Sequence, residues 1–240
     1  MKSNYHPHPA DRLAAARDAS QLVEHTLPVD WPDYWTGVSN PWLMFLGPSP
    51  GNSPGRLSAT SGNRPPTLGV PHPHLARYED SNGFWNRIRD WTHQSFLLAG
   101  VFQEPVDSLS SVLVGNLLAT SAGDSKKLEL SALIASIPSA SRIILSLQPR
   151  IVVTMDKRIS GPLVKMLTQQ GMTLSSSQRQ QVPAKNQSYE YYRPHSWDLA
   201  DSQIKIRVIE SPQHPTKHNF YDAAVMDTFL AAHIRDVLAQ

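Results

Sequence analysis

The chain reads as a single α/β domain, a three-layer α/β/α arrangement around a central, mainly parallel sheet of four strands. Two observations predict it. Four short runs rich in Val, Ile and Leu recur along the chain, at 42–46, 111–118, 150–154 and 203–209. Stretches of helical periodicity separate them. The alternation of short apolar strands with helices implies a parallel sheet covered on both faces.

The elements follow in order. ADRLAAARDASQLVEHTL (10–27) has helical spacing and stops at Pro28. A Trp-rich connection leads into the first strand, Trp42–Leu46. A loop over about 47–81 exceeds ordinary connection lengths, and loops of that size are commonly functional. The segment 82–100 is an amphipathic helix with Phe84, Trp85, Ile88 and Trp91 at helical spacing and Gly100 at its end. After the strand at 111–118 and a polar loop at 120–127, Pro138 divides 128–148 into two short helices. A strand at 150–154 precedes a helix broken early by Gly161-Pro162 and closed by Gly171. Residues 175–201 are polar and aromatic, a loop or hairpin. The last strand, 203–209, leads through SPQHPTKH to a closing helix. The expected division is an N-terminal helix and connection over 1–40, packed on a domain spanning 41–240.

Composition narrows the function. The 240 residues include no cysteine, which excludes disulfides, thiolate nucleophiles, iron–sulfur clusters and cysteine-bound zinc. His6 and His8, and His72 and His74, sit in Pro-spaced pairs without a supporting carboxylate pattern, so no metal and no cofactor is expected. MKSNYHPHPADRLAAARD lacks the apolar stretch of a secretory signal. No apolar run approaches the length of a membrane span, and the expectation is a cytoplasmic protein with no membrane partner. Residues 1–125 carry 8 Lys/Arg against 11 Asp/Glu, and residues 126–240 carry 14 against 9. The basic C-terminal half mildly favours an anionic partner.

Gly47-Pro48-Ser49-Pro50-Gly51 matches the Gly-x-Ser-x-Gly frame of a hydrolase nucleophile elbow. The elbow takes one oxyanion donor from the backbone N–H after the serine, and here that residue is Pro50, which has none. The turn therefore serves something else. Ligands of open α/β sheets bind beyond the carboxyl ends of the strands. That rule gathers the GPSPG turn, Asn116 with the loop after it, and SPQHPTKHN into one crevice.

These segments, in this order, resemble the uracil-DNA glycosylase superfamily. Gly47-Pro48-Ser49-Pro50-Gly51 matches its Gly-x-x-Pro-Gly turn, Val112-Leu113-Val114-Gly115-Asn116 its middle strand ending in Asn, and His214-Pro215-Thr216 its late His-Pro loop. SNGFWNRI looks like the helix start of the mismatch-specific branch, and QPRIVVTMDKRISGPLVKML like the family's strand-then-helix segment. The resemblance covers roughly 40–240 and implies a uracil-DNA glycosylase-like fold. It also implies a glycosylase that flips a base out of DNA and hydrolyses its glycosidic bond.

By this resemblance His214 donates to the base carbonyl as negative charge develops on the leaving base. Asn116 reads the base's Watson–Crick edge. Phe84 stacks on the base, and the backbone around Gly51 and Asn52 holds the base or a phosphate. The family's first-motif carboxylate is absent, because Pro48 and Ser49 occupy its two possible places. Glu79-Asp80-Ser81-Asn82-Gly83-Phe84 resembles a sub-branch with an Asp before this helix, which nominates Asp80 to orient water or stabilise the sugar cation. A helix cap is the competing role for Asp80, and a turn the competing role for His214. Gly51 stands where the family has a Tyr that blocks pyrimidine 5-substituents. With Ser49 also small, the expected substrate is a bulky 5-modified cytosine, such as the glucosylated hydroxymethylcytosine of phage DNA, in antiviral defence. Uracil repair is the alternative on the same chemistry, and a catalytically inactive DNA-binding module the alternative of another class. DNA contacts fall to Lys126 and Lys127 after Asn116, and to Lys217 and His218 after the His-Pro motif. Arg179, Lys185 and Arg193 lie among Tyr189, Tyr191, Tyr192 and Trp197, a mixture suited either to single-strand contact or to a hairpin over the core. The sequence leaves the oligomeric state open, with a monomer as the expectation.

Overall fold

The structure is a computed structural model that describes residues 36–37, 41–48, 84–101, 111–118, 128–186, 189–212 and 223–240. The elements are β1 (Thr36–Gly37), β2 (Leu43–Gly47), α1 (Phe84–Leu98), β3 (Val112–Asn116), α2 (Leu130–Leu147), β4 (Ile151–Thr154), α3 (Lys157–Gln169), β5 (Thr173–Arg179), β6 (Val182–Asn186), β7 (Tyr189–Tyr192), β8 (His195–Ala200), β9 (Lys205–Glu210) and α4 (Ala223–Leu238). The helix read at 10–27 and the loop body at 49–81 lie outside the described residues.

The chain is α/β with a mixed sheet. The four apolar runs form β3, β2, β4 and β9, which are mutually parallel, with Leu43 opposite both Val112 and Ile151, and Ile151 opposite Arg207. The expectation of a four-stranded, mainly parallel sheet is nevertheless wrong. The sheet has seven strands in the order β1-β3-β2-β4-β9-β8-β5. β1 joins β3 antiparallel at one edge, and β8 and β5 extend the other edge antiparallel. β6 and β7 form a separate hairpin.

Alternation along the parallel strands builds two cores. Leu43, Phe45, Val112, Val114, Ile151, Val153 and Ile209 face Ile88, Trp91 and Phe96 of α1 and Met226, Phe229, Leu230 and Ile234 of α4. Met44, Leu46, Leu113, Val152, Ile206 and Val208 face the buried sides of α2 and α3. Helices thus cover both faces of the sheet, as strands alternating with helices imply.

Two helix breaks expected from proline do not occur. α2 runs through Pro138 and α3 through Pro162. A proline inside a helix costs roughly 3 kcal/mol. Burying one large aliphatic side chain contributes about 1.5–3 kcal/mol. Leu133 and Ile137 before Pro138, and Ile143, Ile144 and Leu147 after it, are all buried on the sheet. Ile159, Leu163, Val164 and Leu167 flank Pro162 in the same way. Packing on both sides of each proline exceeds the local penalty. Continuous α2 is also long and apolar enough to cross a membrane by length and composition, contrary to the reading of it as two pieces. Here it packs seven buried residues on the protein core. Gly171, at φ +104°, ends α3 where a glycine was expected to end it.

The segment read as a loop or hairpin is mostly sheet. β5 pairs with β8 from Thr173↔Ala200 to Arg179↔His195. β5 is an exposed edge strand of sequence TLSSSQR, so it shows no apolar face from which to read a strand. Its serines bind sideways instead: Ser175 Oγ donates to the Asp198 carbonyl and Ser176 Oγ to the Asp198 carboxylate at 2.6 Å.

Candidate functional site

The carboxyl ends of the parallel strands lie along one edge, in the order Asn116, Gly47, Thr154, Glu210. The ladder continues past them. Leu117 N donates to the Gly47 carbonyl, Leu118 N to that of Pro48, Met155 N to that of Leu46 and Ser211 N to that of Thr154. β2, β3 and β9 end at this edge, ahead of 49–52, 119–127 and 213–218 in the sequence, and those three segments lie outside the described residues.

Gly47 and Asn116 are partners in register and in space. A Cβ added to Gly47 would lie 2.7 Å from Asn116 Oδ1 and 3.1 Å from Met155 Cε. Those distances are too short for any side chain without a shift. The bare glycine is what lets the Asn116 amide lie across the end of β2. Asn116 is half-buried, at the end of a strand whose other residues are buried. An amide carries a donor and an acceptor side by side.

Of the residues singled out by sequence, Asn116 is described in full and Phe84 as the first residue of α1. Ser49, Gly51, Asn52, Asp80, Lys126, Lys127, His214, Lys217 and His218 lie outside the described residues, as do His6, His8, His72 and His74. Among the described residues, no group of three His, Asp or Glu side chains is placed to hold a metal ion.

The sequence reading missed three groups near this edge. Glu210, at the end of β9, accepts from Ser160 Oγ at 2.9 Å and from the His195 backbone N–H at 3.0 Å. It ties α3 and β8 to the site edge. Its signal was available, since a carboxylate ends an apolar run just before Ser211-Pro212. Asp227, in the second turn of α4, is half-buried, and its Oδ1 has no hydrogen-bond partner among the described residues. Burial, then the neighbouring Asp90, push its carboxyl up to about 6. Asp227 lies three and seven residues before Leu230 and Ile234, so a polar position in an apolar stripe was its signal. The third group surrounds His195. Its ring stacks on Trp197 with centroids 4.0 Å apart, and Nε2 is joined to Ser177 Oγ at 2.6 Å. Burial, then Arg179, hold the imidazole below its usual range, while Glu210 pulls the other way.

A second polar cluster lies deeper, between β8, β9 and α4. Buried Arg207 donates to Asp198 through Nε at 2.6 Å and Nη2 at 3.0 Å, and to Asp236 at 3.1 Å. Burial pushes the Asp198 carboxyl up, but the bonds from Arg207 and Ser176 outweigh it and hold it below the usual range. His233 is fully buried beside Arg207, and burial followed by that charge lower its imidazole to about 4. Every charge in this cluster is matched by a partner, which suits a structural tie.

No protein-family model matches the chain, and a search of curated proteins finds no match.

Proposed function

We propose that the protein is a DNA glycosylase on a three-layer α/β/α fold of the uracil-DNA glycosylase type. The observation that carries the reading is the Asn116 amide lying over Gly47 at the carboxyl edge of the parallel strands. β2 and β9, which precede 49–52 and the segment holding His214 in the sequence, both end at that same edge. In the proposed reaction a pyrimidine is flipped into the crevice, and Asn116 reads its Watson–Crick edge. The bond between the base nitrogen and C1′ breaks, and its electron pair leaves with the base. His214 stabilises the negative charge on the base carbonyl. Water oriented by Asp80 adds its oxygen to C1′, the proton it loses ends on the departed base, and an abasic site remains.

The favoured substrate is a bulky 5-modified cytosine, because Ser49 and Gly51 are small where the family narrows its pocket. Uracil is the alternative base. One observation favours a DNA-binding module without catalysis: Pro48 and Ser49 occupy both places of the family's water-handling carboxylate. The test incubates the protein with phage DNA carrying glucosylated hydroxymethylcytosine and with a uracil-containing duplex, and reads free bases by mass spectrometry. Release of the modified base, reduced about 10²- to 10³-fold in His214→Ala, is the expected result. Uracil alone would sink the pocket argument and keep the chemistry. Tight DNA binding with no base released would establish the binding module.

A further inference from the structure

The antiparallel extension adds a surface to the site edge that the four parallel strands alone would not have. β8 runs opposite to β9, so its first residue, His195, lies beside the carboxyl end of β9 at Glu210. β5 runs opposite to β8, so its last residue, Arg179, pairs with His195. Arg179 and His195 are directly opposed residues of an antiparallel pair and share one face of the sheet. Ser177 and Trp197 are the next opposed pair on that face. Arg193, two residues before His195, enters β8 at the same corner.

Arg179 and Arg193 are both exposed, and neither makes an ion pair with a described residue. This differs from the matched cluster around Arg207 between β8, β9 and α4. The His195 imidazole packs on Trp197 and is joined to Ser177 Oγ, with Arg179 the cation that acts on it. Glu210 is the one described carboxylate that acts on His195, and its two oxygens already accept from Ser160 and from the His195 backbone. The corner therefore presents two exposed guanidinium groups with no ion pair to a described residue, Arg179 opposite the held ring and Arg193 two residues before it, continuous with the site edge.

We propose that Arg179, Arg193 and His195 form a phosphate-contact surface for the DNA strand whose base enters the crevice beside Asn116. The proposal rests on the glycosylase or DNA-binding reading and supplies the backbone track on the β9 side of the site. A guanidinium matches a phosphate with two parallel donors, and such contacts fix register on the strand without reading sequence.

Each phosphate neutralised by a cation releases counterions, so log K falls with log salt by about 0.9 per contact. The experiment measures DNA affinity of the full chain by fluorescence anisotropy across a salt series. It compares wild type, Arg179→Ala, the double variant Arg179→Ala/Arg193→Ala, and Arg142→Ala as a control on the exposed side of α2. The expected result is a salt slope shallower by about one in the single variant and about two in the double, with the control unchanged. An unchanged slope in the double variant, with wild type binding DNA, overturns this surface and leaves the proposed function standing. Failure of wild type to bind any DNA overturns both.

Discussion

The two halves of the sheet are held together differently. In the parallel half, β3, β2 and β4 are almost wholly buried, and alternate side chains enter two separate apolar cores. In the antiparallel half, β5 is exposed along nearly its whole length, and β8 is mostly half-buried. Beside buried Leu199, it is tied to β9 by polar groups: Asp198 to Arg207, which also binds Asp236, and the His195 backbone to Glu210, which also binds Ser160. Hydrophobic burial is non-directional and forgives small errors of geometry. Buried charge is stable only while each partner is present. The parallel half should therefore fail by loss of volume, and the antiparallel half by loss of one partner.

The largest effect breaks the parallel half. Phe45 is fully buried in the centre of β2. Phe45→Ala removes its area and leaves a cavity, and should cost about 4 kcal/mol in chemical denaturation. Next is the antiparallel half. Arg207→Met keeps the volume but strands Asp198, and should cost about 3 kcal/mol. Adding Asp198→Asn to it should recover part of that loss, because the uncompensated charge is gone. If Arg207→Met were neutral, the polar ties would be incidental and the contrast would collapse.

A smaller effect separates the halves by pH. Asp227 has a raised folded-state carboxyl, so the folded chain holds its proton more tightly than the unfolded one. Its contribution is greatest below pH 4 and is lost as pH rises through about 6. His233 works in the opposite direction. Its lowered imidazole favours the fold above about 6.5, and that contribution is lost as pH falls toward about 4. Asp227→Asn should raise stability at pH 7 by about 1 kcal/mol, after discounting for the solvent that reaches this half-exposed group. At pH 4 the difference from wild type should vanish. Denaturation midpoints at the two pH values check this, and an equal gain at both would assign it to packing instead of charge.

The same contrast decided what the sequence made legible. β2, β3 and β4 could be read directly, because strands covered on both faces leave runs such as LMFL and IVVT. TLSSSQR carries no such mark, since an edge strand exposed on its surface gains nothing from apolar residues. β5 exists through its pairing with β8, and pairing is not written in either segment alone. Pro138 and Pro162 were misread for a related reason. Their local penalty is visible in the sequence, while the burial that outweighs it depends on the sheet beneath. At the site, the topology rule led from strand order to Asn116. The need for a bare Gly47 under it was invisible, because a glycine at a strand end reads equally well as the start of a turn. Asp227 was missed because an aspartate within a helix passes for surface until the stripe around it is seen to be buried.

The central claim is that the carboxyl edge of the parallel half holds a base-reading amide, and that Gly47 leaves space for it. The most direct measurement is single-turnover base release by Asn116→Ala and Gly47→Ala, on whichever DNA the wild-type protein acts, with folding checked by circular dichroism. The account predicts a loss of about 10²-fold in Asn116→Ala. It predicts a comparable loss in Gly47→Ala, where a methyl group would displace Asn116 Oδ1 from 2.7 Å. Wild-type rates in both folded variants would contradict it.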